Sequence, residues 1–106
     1  MNTGLNEAEV EKIRGVFALF PQLEKAVLYG SRAKGNFKPG SDIDLTFYGA
    51  ALTPDTLANI SMALDDLLLP YTMDLSLFAT LDNAELREHI KRVGVALYQR
   101  EGKGQA

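Results

Sequence analysis

The stretch YGSRAKGNFKPGSDIDL, residues 29–45, decides how this chain folds. Before it, Lys25-Ala-Val-Leu-Tyr29 is a short apolar run that stops at Gly30, as a buried strand does. Within it, Gly35, Pro39 and Gly40 mark an irregular loop. After it, residues 41–48 alternate: Ile43, Leu45 and Phe47 point one way, Asp42, Asp44 and Thr46 the other. Two strands are therefore expected, the first ending at Gly30-Ser31 and the second carrying a polar face.

Working outward, Asn6 is placed to cap a helix through about Leu19, with Val10, Ile13, Phe17 and Phe20 at helical spacing and Pro21 as the stop. Thr53-Pro54 is a cap and first-turn pair for a second helix, striped by Leu57, Ile60, Leu64, Leu67 and Leu68 up to Pro70. Tyr71, Met73, Leu75 and Leu77 alternate with Thr72, Asp74 and Ser76, which predicts a third strand with an aspartate on its polar side. Asp82 and Glu85 resemble a capping box for a last helix striped by Leu86, Ile90, Val93 and Leu97, and a polar tail follows over 101–106. The order helix, strand, strand, helix, strand, helix predicts an α/β or α+β fold, a small mixed sheet flanked by helices in one domain over 1–106.

Composition narrows the chemistry. With 106 residues, 46% hydrophobic and 24% charged, the chain has an ordinary globular balance. It contains no cysteine, so disulfides and thiolate metal sites are excluded, and any metal must be held by oxygen or by His89. The apolar runs fall far short of the roughly 20 residues that span a bilayer, and the start around Glu7, Glu9 and Glu11 is acidic, so a soluble, cytoplasmic protein is expected. A net charge of −3 argues against broad adhesion to nucleic acid, which needs clustered Lys and Arg.

Asp42 and Asp44 lie two apart on one strand, so their side chains share a face with Cα atoms roughly 6.6 Å apart. If Asp74 joins them from a neighbouring strand, three negative charges meet there. At an effective dielectric near 20, each pair repels by roughly 2.5 kcal/mol, a cost that a bound cation relieves. A donor set of hard oxygens suits Mg²⁺ or Mn²⁺, which keep waters and take further ligands from substrate phosphates. Gly30 lets the backbone approach a phosphate, and Ser31 offers an N–H and a hydroxyl at the start of a short helix. Arg32, Lys34 and Lys38 share this loop, where they serve phosphate neutralisation or plain solubility equally well and stay outside the core site. His89 reads as a surface residue on the last helix, and Tyr48, Tyr71 and Tyr98 as core or partner-contact aromatics.

Gly30-Ser31, ten intervening residues and then Asp42-Ile43-Asp44, with Asp74 later, resembles the signature of the DNA polymerase beta-like nucleotidyltransferase superfamily. The stretch from Gly30 to Gly35 and from Ser41 to Leu45 is particularly similar to minimal nucleotidyltransferases encoded beside HEPN-domain partners, and the resemblance covers nearly the whole chain. It implies the nucleotidyltransferase fold and an ATP-dependent protein adenylyltransferase that moves AMP to a hydroxyl, a tyrosine of a HEPN toxin, with release of pyrophosphate. In that scheme two Mg²⁺ ions lie about 3.5–4 Å apart on Asp42, Asp44 and Asp74, Asp74 helps accept the hydroxyl proton, and Gly30 and Ser31 hold the β- and γ-phosphates. The implied setting is an antitoxin in a hetero-oligomer with the product of the adjacent gene. Two alternatives stand beside it: a non-catalytic antitoxin that inhibits by occlusion, and a small-molecule or RNA nucleotidyltransferase that borrows a substrate-binding subunit.

Overall fold

The computed structural model describes residues 3–38 and 40–100; Pro39 of the expected loop and the expected polar tail over 101–106 lie outside the described residues. Strand β1 (Lys25–Tyr29) sits at the centre of the sheet, antiparallel on one side to β2 (Ile43–Tyr48) and on the other to β4 (Val95–Gln99). The strand β3 (Met73–Leu77) pairs with β2 in parallel, which gives the order β3-β2-β1-β4 and the expected mixed sheet. A parallel pair cannot be closed by a hairpin, and α3 (Pro54–Asp65) makes the crossover.

The alternation along β2 becomes two layers. Ile43, Leu45 and Phe47 face α1 (Glu7–Phe17) and α3, and join Ile13, Phe17, Leu23, Ala26, Leu28, Ile60 and Leu97 in the main core. Phe17 meets Phe47 edge-on at 5.5 Å and Tyr98 at 5.6 Å between ring centres. Each such side chain, fully withdrawn from water, stabilises the fold by about 1.5–3 kcal/mol. The opposite face is covered only in part, by α4 (Ala84–Val93) and the 3-10 turn Phe78–Thr80, where Val27, Tyr29, Phe78 and Ile90 form a smaller cluster.

Local signals set the helix ends. Asn6 Oδ1 accepts from the Glu9 amide at 2.8 Å while Glu9 Oε1 accepts from the Asn6 amide at 3.0 Å, a reciprocal cap that starts α1. Thr53 Oγ1 accepts from the Thr56 amide at 3.2 Å, with Pro54 in the first turn of α3. The third helix ends at Asp65, earlier than its apolar stripe suggests, and leaves Leu68 outside it at φ 57° and 87% exposed. No helix among the described residues is long and apolar enough to cross a membrane.

The C-terminal part corrects the expectation. Asn83, not Asp82, caps α4, its Oδ1 accepting from the Leu86 amide at 3.0 Å. The helix then stops at Val93, and Leu97 lies on β4 rather than on a continued helical stripe. Gly94 is the reason: a Cβ there would lie 2.4 Å from the Ile90 carbonyl oxygen and 2.6 Å from Val27 Cγ1. The chain can therefore leave the helix in extended form directly against β1 only without a side chain at this position.

Two glycines test this placement with opposite signs. Gly94→Ala is expected to destabilise the domain by about 1–3 kcal/mol in urea unfolding, the usual scale of overpacking. Gly15→Ala, exposed within α1 with nothing within 4 Å of the new methyl, is expected to stabilise it by roughly 0.5–1 kcal/mol. A neutral Gly94→Ala would contradict the turn from α4 into β4.

Candidate active site at the Gly30–Asp44 junction

Strand register brings the site together. Tyr29 lies opposite Asp44 across the antiparallel pair, and Asp44 lies beside Asp74 across the parallel one. Asp44 is therefore the meeting point of three segments. Immediately after Tyr29 the chain turns at Gly30, whose φ of 81° and ψ of −155° belong to a backbone region open almost only to glycine. A Cβ at position 30 would lie 2.4 Å from Asp44 Oδ2. The loop backbone and the carboxylate thus occupy adjoining space, which sequence spacing alone does not reveal.

Ser31 opens the short helix α2 (Ser31–Lys34), held by Lys34 N–H donating to Gly30 O at 3.1 Å and closed by Gly35 at φ 84°. The amides of its first turn have no carbonyl partner within the helix, and the turn that carries them starts at Gly30, against the Asp44 carboxylate. Asp42 lies one residue ahead of β2 and is exposed, Asp44 is half-buried, and Asp74 is exposed. Among the described residues no three His, Asp or Glu side chains form a ready-made enclosure for a metal ion. Two clefts of about 320 and 310 Å³, between α1 and β4 and beside α3 and β3, contain none of these five residues.

The electrostatics of the group are unbalanced. Burial, then the carboxylates of Asp74 and Asp42, push the Asp44 pKa above its ordinary value, and His89 opposes them. Burial likewise raises the Tyr29 hydroxyl, with Asp44 and Asp74 adding to it, while a hydrogen bond with Ser76 pulls it down. Ser76 Oγ in turn donates to Thr46 Oγ1 at 3.0 Å, so the polar positions of β1, β2 and β3 form a connected layer.

Two residues take places that the sequence reading did not assign. His89 is half-buried, its ring 6.3 Å from that of Tyr29 and near edge-on, on the side of α4 turned towards Asp44. Its spacing of three from the half-buried Leu86 was the available signal, but which sheet face α4 covers was not written in the helix. Arg32, read as equally suited to phosphate or solvent, is 2% exposed and is bound to backbone carbonyls, whereas Lys34 and Lys38 are exposed.

The family model described as Polymerase beta, Nucleotidyltransferase matches residues 11–103. No curated protein matches the sequence. A chain of a toxin–antitoxin complex crystallised with AMP-PNP superposes with a TM-score of 0.68 at 23% identity, covering 92% of this chain and 76% of that one. A chain from the complex of a tri-AMPylated Shewanella oneidensis HEPN toxin with its MNT antitoxin gives 0.66 at 19%, covering 92% and 75%. At these identities the likeness is one of fold. With nearly all of its described length matched by that family model, the chain belongs to the polymerase beta nucleotidyltransferase family.

Proposed function

We propose that this domain transfers AMP from ATP, with Mg²⁺, to a hydroxyl of a HEPN-domain partner, a tyrosine, and so acts as the antitoxin of a hetero-oligomeric pair encoded by adjacent genes. The observation that carries the reading is the contact of the Gly30 backbone with the Asp44 carboxylate, in register with Asp74. It sets phosphate-binding amides beside carboxylates that repel one another. The two toxin–antitoxin structures, one with an ATP analogue and one with an AMPylated toxin, support the choice of nucleotide and partner.

The donor set fits a hard divalent cation. Asp42, Asp44 and Asp74 offer oxygen only, and the anion of Asp44 is disfavoured by burial and then by Asp74 and Asp42, which a bound cation would relieve. Bound Mg²⁺ supplies neutralisation of triphosphate charge and a more acidic attacking hydroxyl. Gly30 and Ser31 hold the β- and γ-phosphates through backbone N–H groups and the Ser31 hydroxyl. Asp42 and Asp44 would hold the cation against the triphosphate, and a carboxylate oxygen of Asp74 takes the proton of the acceptor hydroxyl. The new bond joins that oxygen to the α-phosphorus, the bond to the β-phosphate oxygen breaks, and pyrophosphate departs.

Incubation of the chain with α-labelled ATP, Mg²⁺ and the product of the neighbouring gene tests the proposal. Label is expected on the partner, with a loss of at least about 10²-fold in Asp42→Asn with Asp44→Asn, the scale of removing transition-state contacts. No transfer by the unaltered chain, or equal transfer by the double variant, rejects it. Neutralisation of the toxin by the double variant as efficiently as by the unaltered chain supports inhibition by occlusion instead.

A second expectation concerns stability. Folding raises the Asp44 pKa, so the folded state holds that proton more tightly than the unfolded chain does. This contribution is full below the ordinary carboxylate pKa and is lost as pH rises through the folded value. At pH 7.5 in EDTA, Asp44→Asn should therefore raise Tm, and the gain should shrink towards pH 4. Added Mg²⁺ should reverse the order, because only the unaltered chain gains binding free energy. A lower Tm for the variant in EDTA contradicts the assignment.

A further inference from the structure

We infer that Arg32 is a positioning residue of this site, a clamp that holds the phosphate-binding turn at a fixed distance from the carboxylates without touching the nucleotide. The inference rests on the nucleotidyltransferase reading given above. A cation two residues after Gly30 is the natural candidate for a phosphate ligand, yet its surroundings direct it inward. Arg32 is 2% exposed. Its Nε and Nη2 both donate to the Ser41 carbonyl, at 3.1 and 2.9 Å, and Nη1 donates to the Thr3 carbonyl at 2.8 Å. The guanidinium carbon lies 4.9 Å from the ring centres of both Phe37 and Tyr71. All three nitrogens are committed, and both aromatic rings cover the charge.

The contacts fall on the segments that carry the site. Ser41 immediately precedes Asp42, Tyr71 precedes Asp74 by three residues, and Arg32 itself follows Gly30-Ser31. One side chain thus ties together the approaches to all three carboxylates and to the phosphate turn. The far end of the loop is stiffened in the same place: Ser41 N–H donates to Lys38 O at 3.0 Å, and Lys38 N–H donates to Ser41 Oγ at 2.9 Å. Tyr71 is fixed in turn, its hydroxyl donating to Glu9 at 3.1 Å, within the cap of α1. Gly4 leaves room on the remaining side, since a Cβ there would lie 2.5 Å from Nη1.

Arginine suits this role and lysine does not. Two of its donors converge on one carbonyl while its flat face stacks, which a single ammonium cannot do. Among the described residues the only ion pair within 4.0 Å is Arg14 with Glu11, so the buried guanidinium has no carboxylate in direct contact. Burying a charge on carbonyls and rings alone is costly, and the cost is understandable where the geometry it enforces is needed.

The test compares Arg32→Lys with the unaltered chain by two independent readouts. In steady-state transfer from ATP, below the Tm of both proteins and normalised to folded protein, kcat is expected to fall by about 10²-fold with KM for ATP within a few-fold, because misplacement by about 1 Å acts on the transition state. In amide exchange, the amides of residues 31–38 and 40–42 are expected to exchange at least ten times faster while β1 stays protected. A raised KM with unchanged kcat would make Arg32 a phosphate ligand, and unchanged kcat with unchanged exchange would make it a bystander; either overturns the inference. Should Arg32→Lys not fold, Phe37→Leu removes one ring face, keeps the hydrogen bonds, and is expected to show the same pattern with smaller changes. Absence of transfer by the unaltered chain would reject the nucleotidyltransferase reading, and the exchange result alone would then decide whether the clamp exists.

Discussion

The carboxylate of Asp44 fills the space where a side chain at position 30 would go, with Oδ2 2.4 Å from a Cβ built on Gly30. Much of the site follows from that contact. The turn after β1 must be glycine, because its φ of 81° and ψ of −155° are closed to other residues and because the carboxylate is there already. The short helix α2 then begins directly after this contact. Parallel pairing of β2 with β3 adds Asp74 at the same level, so a glycine turn, the start of a helix and a cluster of like charges meet at one close approach.

That arrangement needs a sheet with two unlike faces. The apolar face, packed on α1 and α3, supplies the burial that holds the domain together. The other face is only partly roofed by α4, and between roof and edge it keeps a layer of Tyr29, Asp44, Thr46, Asp74 and Ser76 linked by hydroxyl contacts and charge. The pKa of Asp44 is raised first by its burial in this layer and then by Asp74 and Asp42, which strands pinned by the main core hold in register beside it. A protein selected only for stability would remove one of them.

Some of this was legible in the residues. Strict alternation along 41–48 and 71–77 sorts Asp42, Asp44 and Asp74 from the apolar positions, and the glycine-rich loop marks the turn at Gly30. Pairing was not legible, because alternation describes one strand at a time; that β3 runs parallel to β2 with Asp74 beside Asp44 is a property of the crossover through α3. Leu86, Ile90, Val93 and Leu97 satisfy helical spacing as a set, so the five-residue β4 was hidden inside an apparent helix, with Gly94 as its sole marker. His89 went unassigned because an amphipathic helix says which of its sides is apolar but not which sheet face it meets. Arg32 was ambiguous for a similar reason: its partners are two backbone carbonyls, which leave no trace in side-chain chemistry, and two rings distant in sequence or folded back by the loop.

The central claim is that the phosphate turn and the three carboxylates form one cation-centred site. Paramagnetic broadening by Mn²⁺ in an amide correlation spectrum of the chain with ATP tests it directly. The account predicts that substoichiometric Mn²⁺ first broadens the amides of Gly30, Ser31, Asp44 and Asp74, and that Asp42→Asn with Asp44→Asn abolishes the effect. Broadening centred elsewhere, on the acidic start of α1 for example, or an unchanged pattern in the double variant, would contradict it.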